Sequence, residues 1–290
     1  MKREAYLRAI TELYPDFPIQ SADLQEEEGQ YNDILIVNDE FIFRFPKYPE
    51  GVQGIQNEIR ILSRIQGYTT LPIPDPIYTS KGEARPGKVF MGYRKLPGEP
   101  LWRETFRRIE DEDVLQRLAT QLAGFLKELH GIPFERIGSD VPVQDSLAEM
   151  AELYAGIRAH IFDHMRPDAR DWVIHHFEGY LESPHLHAYP RTLKHGDFGG
   201  SNILFDPESQ RINGIIDFGS ACVGDPAHDI AAVSTYGEAF LERFYSTYPE
   251  VETMVERANF YKSTFALSEA LHGIKNGDES AFRAGMASFI

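Results

Sequence analysis

The sequence is short of cysteine and of long apolar runs, and each shortage excludes a class of protein. Cys222 is the single cysteine in 290 residues, which excludes an intramolecular disulfide and a zinc site built from several cysteines. Its isolation fits a reducing compartment. No apolar run is long enough to span a bilayer. We therefore expect a cytoplasmic protein with no membrane partner.

Cations are also scarce. Lys and Arg number 29 against 45 Asp and Glu, and the formal net charge is −16. Such a charge repels nucleic acid and anionic membrane surfaces, so we expect no nucleic-acid partner. The acidity has two explanations, solubility or the attraction of a cationic substrate. The remaining composition, 42% hydrophobic and 26% charged, is that of a globular protein, and nothing in it requires a partner subunit, so we expect a monomer.

The pattern along the chain changes once. Up to about residue 95, "YNDILIVND", "EFIFRFP" and "KVFMGYRKL" are typical of strands, and "GVQGIQNEIRILSRIQGY" has the spacing of an amphipathic helix. The Pro- and Gly-rich "LPGEPLW" then breaks the pattern. Beyond it, helices are expected at about 144–166, 169–182, 227–247 and 250–275, interrupted by strand signals at 193–218. The sequence predicts an α+β protein with two lobes: a small antiparallel-sheet N-terminal lobe (1–95) and a larger helical C-terminal lobe (96–290), joined by a hinge at 92–100.

The strand signals at 193–218 predict a hairpin, "SNILFD" and "RINGIIDFG" joined by a polar turn. A turn centred on residues 207–210 places Asp206 opposite Arg211 and Asn202 opposite Ile215. Asp217 then lies two residues further on the same face. Asp197 precedes the first strand. Each of these polar residues alone is typical of a turn, but together they supply the hard oxygen ligands that Mg²⁺ takes when phosphates complete its shell.

The two segments that carry these groups, "HGDFGGSNILFD" and "IIDFGS", resemble the catalytic loop and the metal-binding loop of the aminoglycoside phosphotransferases, which share the protein kinase fold. The resemblance extends over nearly the whole chain. It implies that Asp197 is the catalytic base and that Asn202 and Asp217 bind Mg²⁺ beside ATP or GTP. His195 would support the loop through hydrogen bonds.

The resemblance also assigns roles in the N-terminal lobe. Where the family has a phosphate-binding lysine, the strand "FIFRF" has Arg44, which we prefer to the nearby Lys47, with Glu58 as its partner. "VFMGYRKLPGEPL" resembles the segment that contacts the nucleobase. The expected nucleotide-binding residues are Arg44, Glu58, Met91, Gly92, Tyr93, Arg94 and Ile216. "EEEGQYND", expected to cover the phosphates, contains only Gly29 and departs from the glycine-rich pattern.

The acceptor is expected to be a small molecule, because only five residues separate Gly219 from Asp225, too few for the activation segment of a protein kinase. "STYGEAFLERFYSTYP" and "FYKSTFALSEALHGIKNGD" resemble the branch that phosphorylates the 2″-hydroxyl of aminoglycosides, the basis of an antibiotic resistance. Carboxylates suit such cationic substrates. The expected substrate-binding residues are Glu238 and Glu269, with Asp229 and Glu242 behind them.

Two alternatives stay open. One is a kinase of the same fold for another small molecule, such as a macrolide, methylthioribose, homoserine or a choline-like amine; an acidic pocket would count against a macrolide. The other is a pseudokinase that only binds nucleotide, suggested by Arg44 and the poor glycine loop. The presence of Asp197, Asn202 and Asp217 counts against it.

Overall fold

The computed structural model describes residues 2–25, 32–80 and 84–290 and divides into two compact units. The first unit contains Met1–Pro142 and His195–Ala221, and the second contains Val143–Lys194 and Cys222–Ile290. The lobe boundary near residue 95 stays a prediction.

The helices and strands follow one another in a mixed order. The α-helices are α1 (Lys2–Leu13), α2 (Pro49–Ile65), α3 (Arg103–Phe106), α4 (Glu112–His130), α5 (Phe134–Ile137), α6 (Ser146–His160), α7 (Pro167–Leu181), α8 (Ala227–Val233), α9 (Glu238–Glu242), α10 (Val255–Asn276) and α11 (Glu279–Met286). The strands are β1 (Ala22–Gln25), β2 (Asn32–Val37), β3 (Phe41–Pro46), β4 (Tyr78–Thr79), β5 (Met91–Arg94), β6 (Glu99–Pro100), β7 (Thr192–Lys194), β8 (Ile203–Asp206), β9 (Arg211–Ile215) and β10 (Cys222–Gly224). Short 3₁₀ helices span Phe162–His164, Pro184–His187, Gly200–Asn202, Phe218–Ser220, Ser234–Tyr236, Arg243–Ser246 and Pro249–Met254.

An antiparallel sheet in the order β1-β2-β3-β5-β4 forms the N-terminal part of the first unit. β2 and β3 turn at Asn38 and Asp39, both with a φ of 56°, the left-handed conformation that suits a tight hairpin. Phe43 and Phe45 are fully buried on one face of β3, and Tyr6 of α1 stacks on Phe45 with ring centroids 4.0 Å apart. This antiparallel sheet and the helices that follow confirm the expected α+β class.

Helix α2 buries a carboxylate within its apolar face. Val52, Ile55, Leu62 and Ile65 are buried at helical spacing, and Glu58, three residues after Ile55, is buried on the same face. A buried carboxylate is costly unless it has charged or hydrogen-bonding partners. The position of α2 therefore determines where the Glu58 carboxylate lies in the protein interior.

The C-terminal half of α2 is anchored through two arginines. Arg64 donates two hydrogen bonds to the carboxylate of Asp140, at 2.6 and 3.0 Å, and a third at 2.6 Å to the carbonyl of Ile137. Arg60 Nε lies 3.1 Å from the same carboxylate. Because the forked guanidinium fixes direction as well as distance, these contacts constrain the helix in rotation and translation.

The hairpin of β8 and β9 differs from its predicted register at one end. Asp206 pairs with Arg211, which confirms the turn. The prediction that Asn202 faces Ile215 is wrong by one residue, because the register shifts between Leu204 and Phe205 and Ile203 becomes the partner of Ile215. A bulge places an extra residue on one strand and changes the face on which the following side chains lie.

The second unit is mostly helical and contains the short β7–β10 pair. The single helix expected at about 227–247 is wrong: α8 ends at Val233, and one 3₁₀ helix, Ser234–Tyr236, separates it from α9. In its interior Asp225 accepts hydrogen bonds from Arg257 at 2.8 and 3.2 Å and from Tyr261 at 2.9 Å. Asp225 has no exposed surface, so this charge depends entirely on its partners.

Along 2–25, 32–80 and 84–290, the helices lack the combination of length and apolar character needed to cross a membrane.

We expect Asp225→Ala to destabilise the protein by about 3 to 5 kcal/mol, because it leaves the Arg257 guanidinium buried without its carboxylate. The free energy of unfolding is measured by urea denaturation. The matched control is Glu279→Ala, which removes the exposed i,i+4 pair with Arg283 and should cause no measurable loss. Equal stabilities for the two variants would contradict the assignment.

Candidate active site

A cavity of about 860 Å³ in the first unit brings together many of the residues singled out by the sequence. Those that line it are Arg44, Glu58, Tyr93, Asp197, Asn202, Ile216 and Asp217. The rest of its wall consists of small, polar and apolar residues: Asn32, Ile34, Gly51, Gly54, Ile55, Pro100, Trp102, Ser201, Gly219 and Ser220. The cavity is therefore apolar in part and charged where the strand, helix and hairpin groups meet.

A chain of ionic contacts runs through this cavity. Arg44 Nη1 lies 2.7 and 2.9 Å from the two carboxylate oxygens of Glu58, and Nη2 lies 2.8 Å from Asp217 Oδ1. Glu58 Oε1 also accepts a hydrogen bond from the backbone N–H of Phe218 at 3.0 Å. Arg44 of β3 thus bridges Glu58 of α2 and Asp217, which lies two residues after β9.

The three charges differ in their access to solvent. The side chains of Arg44 and Glu58 are 8% and 1% exposed, whereas that of Asp217 is 40% exposed. Burial raises the pKa of Glu58 to about 7, against the opposing attraction of Arg44. Burial also raises the pKa of Asp217, but the charge and hydrogen bond of Arg44 outweigh it and hold that pKa below its usual value. Asp217 is therefore ionised at neutral pH and still open to the cavity.

Hydrogen bonds made by the side chains of His195 and Asn202 hold the loop that carries Asp197. His195 Nε2 lies 3.0 Å from the carbonyl of Ile216, and its Nδ1 accepts the backbone N–H of Asp197 at 3.3 Å. With Nδ1 as an acceptor, Nε2 is the ring nitrogen that donates to the Ile216 carbonyl. Asn202 Nδ2 donates to the Asp197 carbonyl and to Asp197 Oδ2, both at 2.9 Å. The carboxylate of Asp197 is thereby oriented while its residue stays exposed.

The backbone at the two ends of the site takes conformations that restrict the residue type. Gly196 has a φ of 80°, and a Cβ atom there would lie 2.4 Å from the carbonyl oxygen of Ser220. Asp217 is left-handed with a φ of 64°, and its side chain accepts the Gly219 N–H at 3.4 Å. Asn202 ends a 3₁₀ turn and its carbonyl accepts the N–H of Ile216 at 2.9 Å. Asn202 and Asp217 both line the cavity, and the local conformations on either side of the hairpin place them there.

Other residues expected to bind the nucleotide lie outside the cavity wall. Met91 and Gly92 are buried in β5, where a Cβ on Gly92 would lie 2.5 Å from the Phe43 ring. Arg94 is exposed and covers the ring of Phe41. Their backbone roles stay predictions. Lys47 is 3.9 Å from Asp33 and does not line the cavity, whereas Arg44 does. Gly29 lies outside the described residues.

The acidic residues expected to bind the acceptor lie in the second unit. Asp229 is in α8 and has no exposed surface. Glu238 and Glu242 are at the two ends of α9, Glu269 is in α10, and all three are exposed. Their carboxylates are therefore accessible to a cationic ligand, and their role in binding one stays a prediction.

Trp102 and Ser201 also line the cavity, and sequence reasoning did not select either of them. Ser201 belongs to a stretch in which every polar residue suits a turn. Trp102 follows the "LPGEPL" break, and its 52% exposure depends on tertiary packing. A tryptophan directly after a breaker segment is a weak signal that could have directed attention to it.

The chain is similar in sequence to known phosphotransferases. The model of a family described as "Phosphotransferase enzyme family" matches residues 26–260. Viomycin phosphotransferase of Streptomyces vinaceus is 26% identical over 274 residues, which cover 92% of each chain.

Solved structures extend the similarity to three dimensions. The GDP and kanamycin complex of APH(2″)-IIIa is 29% identical, covers 97% of this chain and 96% of its own, and superposes with a TM-score of 0.88. The GDP complex of wild-type aminoglycoside 2′-phosphotransferase-IIIa is 28% identical, covers 99% and 97%, and has a TM-score of 0.89. The kinase-like fold that the two loop motifs imply is thus confirmed.

The Arg44–Glu58 pair allows a stability test. We expect Arg44→Met to cost about 3 to 5 kcal/mol because it leaves Glu58 buried without its cation. The loss should be larger at pH 8 than at pH 5, since the carboxyl can take a proton at the lower pH but must stay charged or shift its pKa at the higher one.

The control is the double variant Arg44→Met/Glu58→Leu, which replaces both charges by apolar groups and should recover most of the lost free energy of unfolding. Urea denaturation at the two pH values measures both variants. A double variant no more stable than Arg44→Met would contradict a buried, mutually dependent pair.

Proposed function

The chain belongs to the phosphotransferase enzyme family, and on that premise we propose that it transfers the terminal phosphate of ATP or GTP, with Mg²⁺, to a hydroxyl group of an aminoglycoside. The observation that carries the proposal is the convergence of Asp197, Asn202, Asp217 and Arg44 on one cavity. A carboxylate base, two oxygen ligands for a metal and a cation for phosphate are the parts that phosphoryl transfer requires.

The side chains present fit a magnesium ion. Asn202 uses its Nδ2 on Asp197, which leaves its amide oxygen for a ligand. Asp217 is ionised, and its Oδ2 accepts no hydrogen bond from the described residues. Within 2–25, 32–80 and 84–290, no three or more His, Cys, Asp or Glu residues are grouped to hold a metal ion. Two protein oxygens suit Mg²⁺ completed by phosphates and water, where it would neutralise charge on the phosphates.

Asp197 is the base in this proposal. Asn202 holds its Oδ2, so the other oxygen is left to accept the proton of the acceptor hydroxyl. The acceptor oxygen forms a bond to the terminal phosphorus, the bond from that phosphorus to the bridging oxygen breaks, and a nucleoside diphosphate leaves. Because the transition state is loose, orientation of the hydroxyl by Asp197 matters more than the strength of the base.

Arg44 and the apolar wall bind the nucleotide. The Arg44 guanidinium supplies the positive charge that a phosphate-binding lysine supplies elsewhere in the family, and Glu58 fixes its orientation. Ile34, Tyr93 and Ile216 provide the apolar surface for a planar base.

The acidic side chains of the second unit support a cationic acceptor. Glu238, Glu242 and Glu269 are exposed, and the chain carries a net charge of −16. Carboxylates bind ammonium groups through charge-assisted hydrogen bonds, and a negative field raises the encounter rate with a polycation. The similar APH(2″)-IIIa has been solved with kanamycin, which supports the same class of acceptor for this chain.

The test of the reaction is a coupled nucleotide-consumption assay with ATP and GTP against kanamycin, gentamicin, viomycin, erythromycin and methylthioribose. We expect stimulation by an aminoglycoside and a loss of about 10²- to 10⁴-fold in kcat for Asp197→Asn. The matched control is Asp206→Asn, on the same hairpin but outside the cavity, which should keep full activity. Turnover with erythromycin alone would favour the macrolide alternative, and undiminished turnover by Asp197→Asn would overturn the mechanism.

The acidic residues are tested separately. We expect Glu238→Gln/Glu269→Gln to raise the KM for an aminoglycoside roughly tenfold or more while the KM for the nucleotide is unchanged, because each substitution removes a charge-assisted hydrogen bond. The control of equal charge change is Glu208→Gln/Glu279→Gln, at two exposed glutamates that do not line the cavity. An unchanged acceptor KM in Glu238→Gln/Glu269→Gln would remove Glu238 and Glu269 from the acceptor site.

A further inference from the structure

Trp102 is a half-exposed aromatic residue in the wall of the cavity that Asp197 also lines. It is 52% exposed, whereas Ile55 in the same wall is 2% exposed. A single exposed apolar residue on a protein surface needs no explanation. Trp102 differs because it lines the same cavity as Asp197, Asn202, Asp217 and Arg44.

The backbone on either side of Trp102 is fixed against the catalytic hairpin. In the β6–β8 pair, Pro100 is the partner of Leu204, and the N–H of Leu101 donates to the carbonyl of Ile203 at 2.9 Å. Continuing this antiparallel register places Trp102 opposite Asn202. Leu101 is fully buried, and the backbone N–H of Trp102 donates to the carbonyl of Pro100 at 2.8 Å. The indole is thus carried on a rigid segment beside the loop of the base.

We propose that Trp102 is the platform on which a ring of the acceptor lies during phosphate transfer, and this inference rests on the proposed function. The ligand class is a cationic amino sugar. Its saturated ring presents a flat face of C–H groups that packs on an aromatic surface, and its ammonium groups are attracted to the electron-rich face of indole. Neither exposed glutamates nor Asp197 supplies such a contact.

Charge favours the acceptor over the donor as the occupant of this face. The donor is polyanionic, and the negative face of an indole repels phosphate groups while it attracts cations. The segment opposite Trp102 is also the one that carries Asp197, the group that touches the acceptor hydroxyl in the proposed reaction. Trp102 is therefore a specificity-determining residue for the ring that bears or adjoins that hydroxyl.

Steady-state kinetics test the platform. We expect Trp102→Ala to raise the KM for kanamycin by about 3- to 30-fold, with the KM for the nucleotide changed by less than about twofold. Trp102→Phe should recover part of the loss, because a smaller aromatic face remains. The matched control is Trp172→Ala, which removes a tryptophan of 44% exposure that does not line this cavity and should leave both KM values unchanged.

Fluorescence gives a test that needs no turnover. The sequence contains two tryptophans, so Trp172→Phe leaves Trp102 as the single indole. We expect kanamycin to change the emission of this variant in a saturable way, and to leave that of Trp102→Phe, in which Trp172 remains, unaltered.

The outcomes separate the two proposals. An active wild-type enzyme whose Trp102→Ala variant keeps its acceptor KM, or gains a higher nucleotide KM instead, would overturn the platform and leave the proposed function standing. A wild-type protein that transfers no phosphate to any acceptor would overturn the proposed function. Absence of a kanamycin effect on Trp102 emission would overturn the platform in either case.

Discussion

The contact on which the site depends is the double engagement of Arg44, with Glu58 on one side of its guanidinium and Asp217 on the other. A charge that is 8% exposed is tolerable only with such partners, and a carboxylate that is 1% exposed needs that cation in turn. These contacts of Arg44 link three separate parts of the sequence: strand β3, helix α2 and the segment that follows β9. A displacement of any of them separates charges in a medium of low dielectric.

Because the site depends on this contact, the anchoring of α2 also helps to position Glu58. The carboxylate of Asp140 holds Arg60 and Arg64 near the C-terminal end of the helix, while Glu58 lies in the middle of it. Since a helix transmits rotation along its whole length, contacts at one end decide which side chains are presented elsewhere. The buried face of α2 therefore has two tasks: its apolar residues pack, and Glu58 orients the cation of β3.

Local patterns predicted much of this architecture. Alternation in "EFIFRFP" placed Arg44 on the face away from Phe43 and Phe45, and helical spacing located α2. The motif residues at 195–202 and 216–219 identified the groups of the site because their chemistry is specific in combination. Alternation could not reveal the shift between Leu204 and Phe205, because a bulge depends on packing between strands rather than on side-chain type. Exposure of Trp102 depends on residues distant in the chain, and no local pattern contains it.

The left-handed backbone at Asp217 restricts the type of residue at this position more than the proposed role as a metal ligand would restrict it alone. Glycine and asparagine adopt a φ of 64° readily but bring no negative charge, while glutamate brings the charge on a longer stem that fits this conformation poorly. Aspartate alone meets both the torsional and the ionic demand. A single substitution of Asp217 is therefore never silent. Each replacement either disfavours the left-handed backbone conformation or removes the negative charge from the cavity.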